Sequence, residues 1–253
     1  MKKILLCSAA LAVFASQAMA SGIYVTGKVG GSNGEGNSIE NDSRYDSDSK
    51  SVSSQPVESD FTKNAVAWGG AVGYEYTKWL VPLRMEAEYL YRNHFEYETG
   101  YPGKSISETE FNSNIDNQTI LANFYVDVPV TRMFGVFFGG GLGEAINTTH
   151  SKIGGTTTVG HDYEGSVDDA SFSWMTTAGL TVKPLKWLAF DLSYRYSDLG
   201  NITWRTGEAG GAQSGLETDD FAAQELFLAV RVDVPNMYNK PHHKKAHHKY
   251  MDK

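Results

Sequence analysis

From Leu188 to Ser197 apolar and polar positions alternate without a break. Leu188, Phe190, Leu192, Tyr194 and Tyr196 share one parity, and Ala189, Asp191, Ser193, Arg195 and Ser197 the other. Successive side chains of an extended chain point to opposite faces, so the segment predicts a strand with one greasy and one charged face. The pattern recurs along the chain. It predicts eight strands at about Gly22–Ser32, Ala65–Thr77, Leu83–Tyr97, Asn117–Val128, Phe134–Asn147, Phe172–Val182, Leu188–Trp204 and Phe221–Val234. Each reaches the ~9–11 residues that a tilted membrane strand needs.

The connections between these strands alternate in length. Long polar ones fall at about Asn33–Asn64, Glu98–Asp116, Thr148–Ser171 and Arg205–Asp220, and short ones at Lys78–Pro82, Pro129–Met133 and Lys183–Trp187. Proline lacks an N–H and is excluded from a ladder interior. Pro82, Pro129, Pro184 and Pro235 all fall at the rim that carries the short connections, and the other prolines fall in long connections or the tail. Long loops on one side and short turns on the other are the pattern of an even-stranded outer-membrane barrel. The predicted fold is therefore all-β: an eight-stranded antiparallel up-and-down transmembrane β-barrel. Four long extracellular loops, three short periplasmic turns and two periplasmic termini are expected.

The two faces carry different chemistry. One holds the apolar rows, such as Leu226, Leu228, Val230, Val232 and Val234 on the last strand. Aromatic residues sit in or beside these rows: Trp68, Tyr74, Tyr76, Trp79, Tyr89, Tyr91, Trp174, Trp187, Tyr194 and Tyr196. They are expected to form girdles at the membrane interfaces, where a ring buries its body and keeps a polar atom wet. The other face holds Glu75, Arg84, Glu86, Glu88, Arg92, Asp127, Asp191, Arg195, Glu225 and Arg231. An eight-stranded barrel leaves an interior only wide enough for side chains. Opposite charges confined there must pair, so an Arg–carboxylate network plugging the lumen is expected, centred on Glu86, Glu88, Arg195, Glu225 and Arg231. Gly69, Gly73, Gly139, Gly141, Gly143 and Gly179 share the inward parity and are expected to make room for the long arginines. A soluble barrel would reverse the faces, with apolar rows inside and charges outside.

The start of the chain sharpens the compartment. Lys2 and Lys3, the apolar run Ile4–Ala15 and the small-x-small site Ala18-Met19-Ala20 form the three parts of an export signal. The expected organisation is a signal peptide at 1–20, an outer-membrane barrel at 21–234 and a His/Lys-rich periplasmic tail at 235–253. The single cysteine, Cys7, lies in the signal, so the mature chain is expected to lack disulfides and thiol metal sites. The formal charge is −8 for the whole chain and −14 for residues 21–234, where 15 Lys and Arg face 29 Asp and Glu. So acidic a body argues against nucleic-acid binding. In the tail, His242, His243, His247 and His248 are weak candidates for a metal site. Contact of this basic tail with peptidoglycan or anionic headgroups is the simpler expectation. No cofactor is expected.

The run Tyr194-Arg195-Tyr196-Ser197-Asp198-Leu199-Gly200 resembles the seventh strand of small porin-family and opacity-type outer-membrane proteins. The start at Gly22–Gly27 and the run Trp68–Tyr74 are similar to theirs as well. The resemblance implies a barrel embedded in outer-membrane lipid and lipopolysaccharide. It further implies a structural and surface-exposed role of antigen or adhesion type, with host or cell-surface ligands met by the loops. One departure is the end of the last strand at Val234 without a terminal aromatic, which leaves the assembly signal internal or weak. Barrel deacylases similar to this family place a His-x-Ser dyad on the seventh strand. The matching positions here are Asp198 and Gly200, so no enzyme is expected. A narrow solute channel remains as the alternative, with a lipid A-modifying activity disfavoured.

Overall fold

Alternation becomes a closed wall. The computed structural model describes residues 22–37, 40–41, 61–77, 81–101, 109–154, 163–209, 212–218 and 220–234. The expected signal peptide, the tail with its four histidines and Trp79 lie outside these residues. The strands are β1 (Ile23–Asn37), β2 (Glu40–Asn41), β3 (Phe61–Tyr76), β4 (Leu83–Tyr101), β5 (Thr109–Pro129), β6 (Phe134–Gly154), β7 (Tyr163–Leu185), β8 (Leu188–Asp198), β9 (Ile202–Ala209), β10 (Ala212–Thr218) and β11 (Asp220–Asp233). Eight of them close an antiparallel barrel in the order β1-β11-β8-β7-β6-β5-β4-β3. In that order β4 and β8 stand opposite each other across the lumen. The remaining three form a small sheet, β2-β10-β9.

The barrel rows emerge with the expected parity. Tyr24 is buried while Ile23 and Val25 are exposed, and on β11 the buried Glu225 and Arg231 alternate with exposed Leu226, Leu228 and Val230. The turn between β5 and β6 is held by the Thr131 hydroxyl, which accepts the Met133 and Phe134 amides at 3.2 and 3.0 Å. The turn between β7 and β8 is tighter than expected. β7 runs on to Leu185, and Pro184 lies inside it at a register shift between Val182 and Leu185. Such an irregularity is where a ladder tolerates proline.

At the other end the strands run further than predicted. The β4–β5 ladder continues to Tyr101–Thr109, β5–β6 to Glu110–Gly154 and β6–β7 to Ile153–Tyr163. Much of the segments expected as loops at Glu98–Asp116 and Thr148–Ser171 is thus strand. The sequence of these stretches is mostly polar, so the alternation of apolar and polar positions that marks a strand is lost there. The connection expected at Arg205–Asp220 is also largely strand: β9 and β10 form a hairpin, and β10 pairs β2 from within the first long connection. The seventh expected strand, Leu188–Trp204, breaks into β8 and β9 at Gly200, whose φ of 73° is a conformation that favours glycine.

The wall is not equally continuous all round. β3 and β4 pair only up to Val66–Asn93, and β7 and β8 only up to Trp174–Asp198. On β4 a register shift between Arg92 and Phe95 moves the inward parity by one. Arg92 and Phe95 are consequently both fully buried. Among the described residues, no helix is long and apolar enough to cross a membrane, which says nothing of a barrel.

Candidate functional site

The inward parity of eight strands brings the predicted charges together in one column. Near the short turns Lys183 reaches Glu75 at 3.0 Å. Next, the Arg84 guanidinium lies 2.7 Å from Asp127 and 3.5 Å from Asp191, and Arg231 lies 3.6 Å from Asp191. Further along, Glu86 accepts from Lys28 at 2.9 Å, from Tyr24 at 3.0 Å and from Tyr125 at 3.3 Å. Glu88 takes a two-pronged contact from Arg195, at 2.7 and 2.9 Å, and a further one from Lys28. Arg92 grips Glu225 through Nε at 2.7 Å and Nη2 at 3.0 Å. All ten predicted lumen residues face inward; Glu75 and Asp127 at the rim are half-buried, and the other eight are buried. Glu88 on β4 and Arg195 on β8 join opposite walls.

Several partners in this column lie outside the predicted set. Lys28 is the cation shared by Glu86 and Glu88. It sits on the inward parity of β1, so the same alternation could have found it. The glycines also work differently from expectation. A Cβ at Gly73 would strike the Tyr24 ring, and one at Gly139 would strike the Tyr125 ring. These gaps hold tyrosines, and the arginines stack on them: Arg231 lies 5.3 Å from the Tyr24 ring centre and Arg84 4.7 Å from that of Tyr125. Gly179 makes room for Phe137, Gly141 for the Asn123 side chain, and Gly69 and Gly143 for the neighbouring strand's backbone. A cation over an aromatic face is attracted by the ring quadrupole, which compensates part of its lost hydration.

Beyond the Arg92–Glu225 pair the interior turns apolar. Phe95 and Phe221 meet edge to face with centroids 5.4 Å apart, over the bare backbone of Gly34. The register shift on β4 hides the parity of Phe95, whereas Phe221 shares the inward parity of Glu225 on β11. Arg92 Nη1 also donates to Asn117 at 2.7 Å, whose amide donates to Asn147 at 2.6 Å.

A model of the outer membrane protein beta-barrel domain matches residues 4–224. The chain belongs to this outer-membrane β-barrel family. Among solved structures, Neisserial surface protein A is 14% identical over 85% of this chain and 98% of its own, with a TM-score of 0.44. OprG of Pseudomonas aeruginosa is 13% identical over 86% of this chain and 99% of its own, with a TM-score of 0.43. Ail of Yersinia pestis is 13% identical over 85% and 100%, with a TM-score of 0.34. Comparison with curated protein sequences gives no match.

For an outer-membrane β-barrel the exterior is the solvent-facing site of a different kind, since its solvent is lipid. Val72, Leu142, Leu180, Leu228 and Phe138 stand more than half exposed around the wall. Aromatics flank this band. Toward the long connections Tyr89 donates to Gln118 at 3.1 Å, Tyr91 to Asp116 at 3.1 Å, Tyr194 to Gln224 at 2.8 Å and the Trp174 indole to Asp198 at 2.9 Å. Trp68 packs on Tyr91 and Tyr196 on Trp174. Each polar tip is thus aimed at a polar side chain beyond the apolar band. Tyr74, Tyr76 and Trp187 lie outward at the turn end, so of the expected girdle only Trp79 is outside the described residues.

Proposed function

We propose that this outer-membrane barrel is closed to solutes and serves as structural support and as a surface platform at its long-connection end. In this reading that end faces the exterior, and the short turns and both termini face the periplasm. The observation that carries it is the Glu88–Arg195 contact, which spans the lumen between opposite strands with both side chains shielded from solvent. Among the described residues, the shared Lys28 on one side and the Arg92–Glu225 pair on the other flank this contact with further ion pairs. An antigen or adhesion role fits a closed scaffold that carries its long connections at one end, where binding surfaces are commonly placed. A catalytic reading finds no support at the positions that would carry a dyad. Asp198 is occupied by the Trp174 indole and the Gly200 amide, and Gly200 has no side chain.

Purified protein folded into planar lipid bilayers tests the closed reading. The expected result is silence under an applied voltage. Steady single-channel steps from the unaltered protein would establish the narrow-channel alternative instead. Adhesion is tested separately, by cell binding of bacteria displaying the barrel with and without residues 203–218.

A further inference from the structure

The barrel ladder leaves one stretch of wall unfinished. β7 continues to Tyr163, but β8 accompanies it only as far as Asp198. Residues 199–203 cross the breach. We propose that this segment is a hinged strap, latched by side chains, which closes the wall beside β7 and stoppers the lumen, and which opens without breaking the barrel ladder.

The two edges of the strap are fastened by different means. On the β11 side the bonds are backbone: the Leu199 amide donates to the Phe221 carbonyl at 2.7 Å, and the Phe221 amide to the Gly200 carbonyl at 3.1 Å. Gly200, at φ 73°, turns the chain there. A Cβ on it would meet the Ser171 side chain, so the turn lies hard against β7. On the β6 and β7 side the fastening is by side chains. Asn147 donates from one amide nitrogen to the carbonyls of Leu199 and Asn201, at 2.9 and 2.8 Å. The Thr149 hydroxyl donates to the Thr203 carbonyl at 2.8 Å, and the Asn201 amide donates to the Ser171 hydroxyl at 3.2 Å. A ladder opens only if its neighbours open, whereas side-chain latches can be released singly; local openings of this sort sit far below global unfolding in free energy.

Closed, the strap is a stopper. Leu199 and Ile202 are both fully buried, beside the level where Phe95 and Phe221 meet. The latch also reaches the plug. Asn147 accepts from Asn117, which accepts from Arg92, which holds Glu225. Release of Asn147 therefore loosens the support of Asn117 beside the Arg92–Glu225 pair. Ile202 and Thr203 open β9 and pair Thr218 and Glu217 of β10, so the β9–β10 hairpin would swing with the strap, and the small sheet and the plug share one moving part. This inference stands whether or not the surface role proposed above is correct.

Thiol accessibility tests it. Cys7 is the only cysteine of the chain, so a Cys7→Ser background carrying Ile202→Cys reports on the strap alone. The protein is folded into phospholipid vesicles and treated with a charged methanethiosulfonate reagent. With the latch intact, modification is slow. Asn147→Ala is expected to speed it roughly tenfold, the order of one net hydrogen bond, and Thr149→Val by a similar or smaller factor, while heat-modifiable migration on gels stays unchanged. Asn123→Ala removes a buried lumen amide that the strap does not touch and should leave the rate alone. An unchanged rate in both latch variants overturns the proposal, as does an equal acceleration by Asn123→Ala. Should Asn147→Ala fail to fold, the near-isosteric Thr149→Val carries the comparison.

Discussion

Removing the Glu88 carboxylate isolates the energetic logic of the lumen. Glu88 is shielded from solvent and is held by both Arg195 nitrogens and by Lys28. Glu88→Ala therefore leaves a guanidinium and an ammonium facing each other, with Glu86 able to compensate only Lys28, at 2.9 Å. Breaking a buried pair on one side costs about 3–5 kcal/mol, because the surviving charge is stranded. With a urea dependence of about 2 kcal/mol per molar, the unfolding midpoint should fall by roughly 2 M. Urea titration in phospholipid vesicles, followed by tryptophan fluorescence, reads this directly. Glu88→Leu combined with Arg195→Leu should recover most of the loss, since replacing a whole buried pair by apolar groups is often neutral or better. The expected coupling is therefore large and of compensating sign. A Glu88→Ala shift below about 0.5 M would place this contact among hydrated surface pairs, worth at most ~1 kcal/mol. A double variant as unstable as the two single losses added together would refute the stranded-charge reasoning.

Three further perturbations probe other parts of the wall. Leu228→Arg puts a charge on an outward position that is 62% exposed. It should cost about 2–4 kcal/mol in vesicles if hydrocarbon wets that surface, and equilibrium unfolding that shows no loss would place the position outside the bilayer. Gly139→Ala forces the Tyr125 ring off its seat and Arg84 with it. The expected penalty is about 1–3 kcal/mol, measured as a lowered urea midpoint. Lys183→Ala removes the ion pair with Glu75, but the lysine side chain is 40% exposed. Its effect should stay within about 1 kcal/mol, so a larger shift in the same titration would show this rim to be drier than its exposure indicates.

How much of this was legible in the sequence depended on where the bilayer is. Within the apolar band, lipid outside and ion pairs inside force strict alternation. The inward placement of Arg195, Glu88 and Glu225 could therefore be read from parity alone. Beyond the band the sequences of β5 and β6 are mostly polar. Asn112, Asn114, Thr148 and His150 consequently read as loop although they lie in ladders. The single-residue irregularity after Arg92 concealed Phe95, since parity counting has no means of detecting a skipped residue. Lys28 is hard to single out in the sequence because it sits among glycines and a serine, where the strand signal is faint. Asn147 and Thr149 carry no pattern at all; their role comes from where the chain turns at Gly200, a tertiary event.

The opposition of β4 and β8 has a consequence for biogenesis. Glu88 and Arg92 are synthesised more than a hundred residues before Arg195 and Glu225, their counter-ions. A chain that has laid down only its earlier hairpins leaves Arg92 without Glu225 and Glu88 with Lys28 but not Arg195, which makes partial insertion into hydrocarbon costly. Completion of the C-terminal strands removes that penalty in one step. The plug thereby favours insertion of the whole chain over insertion of its fragments.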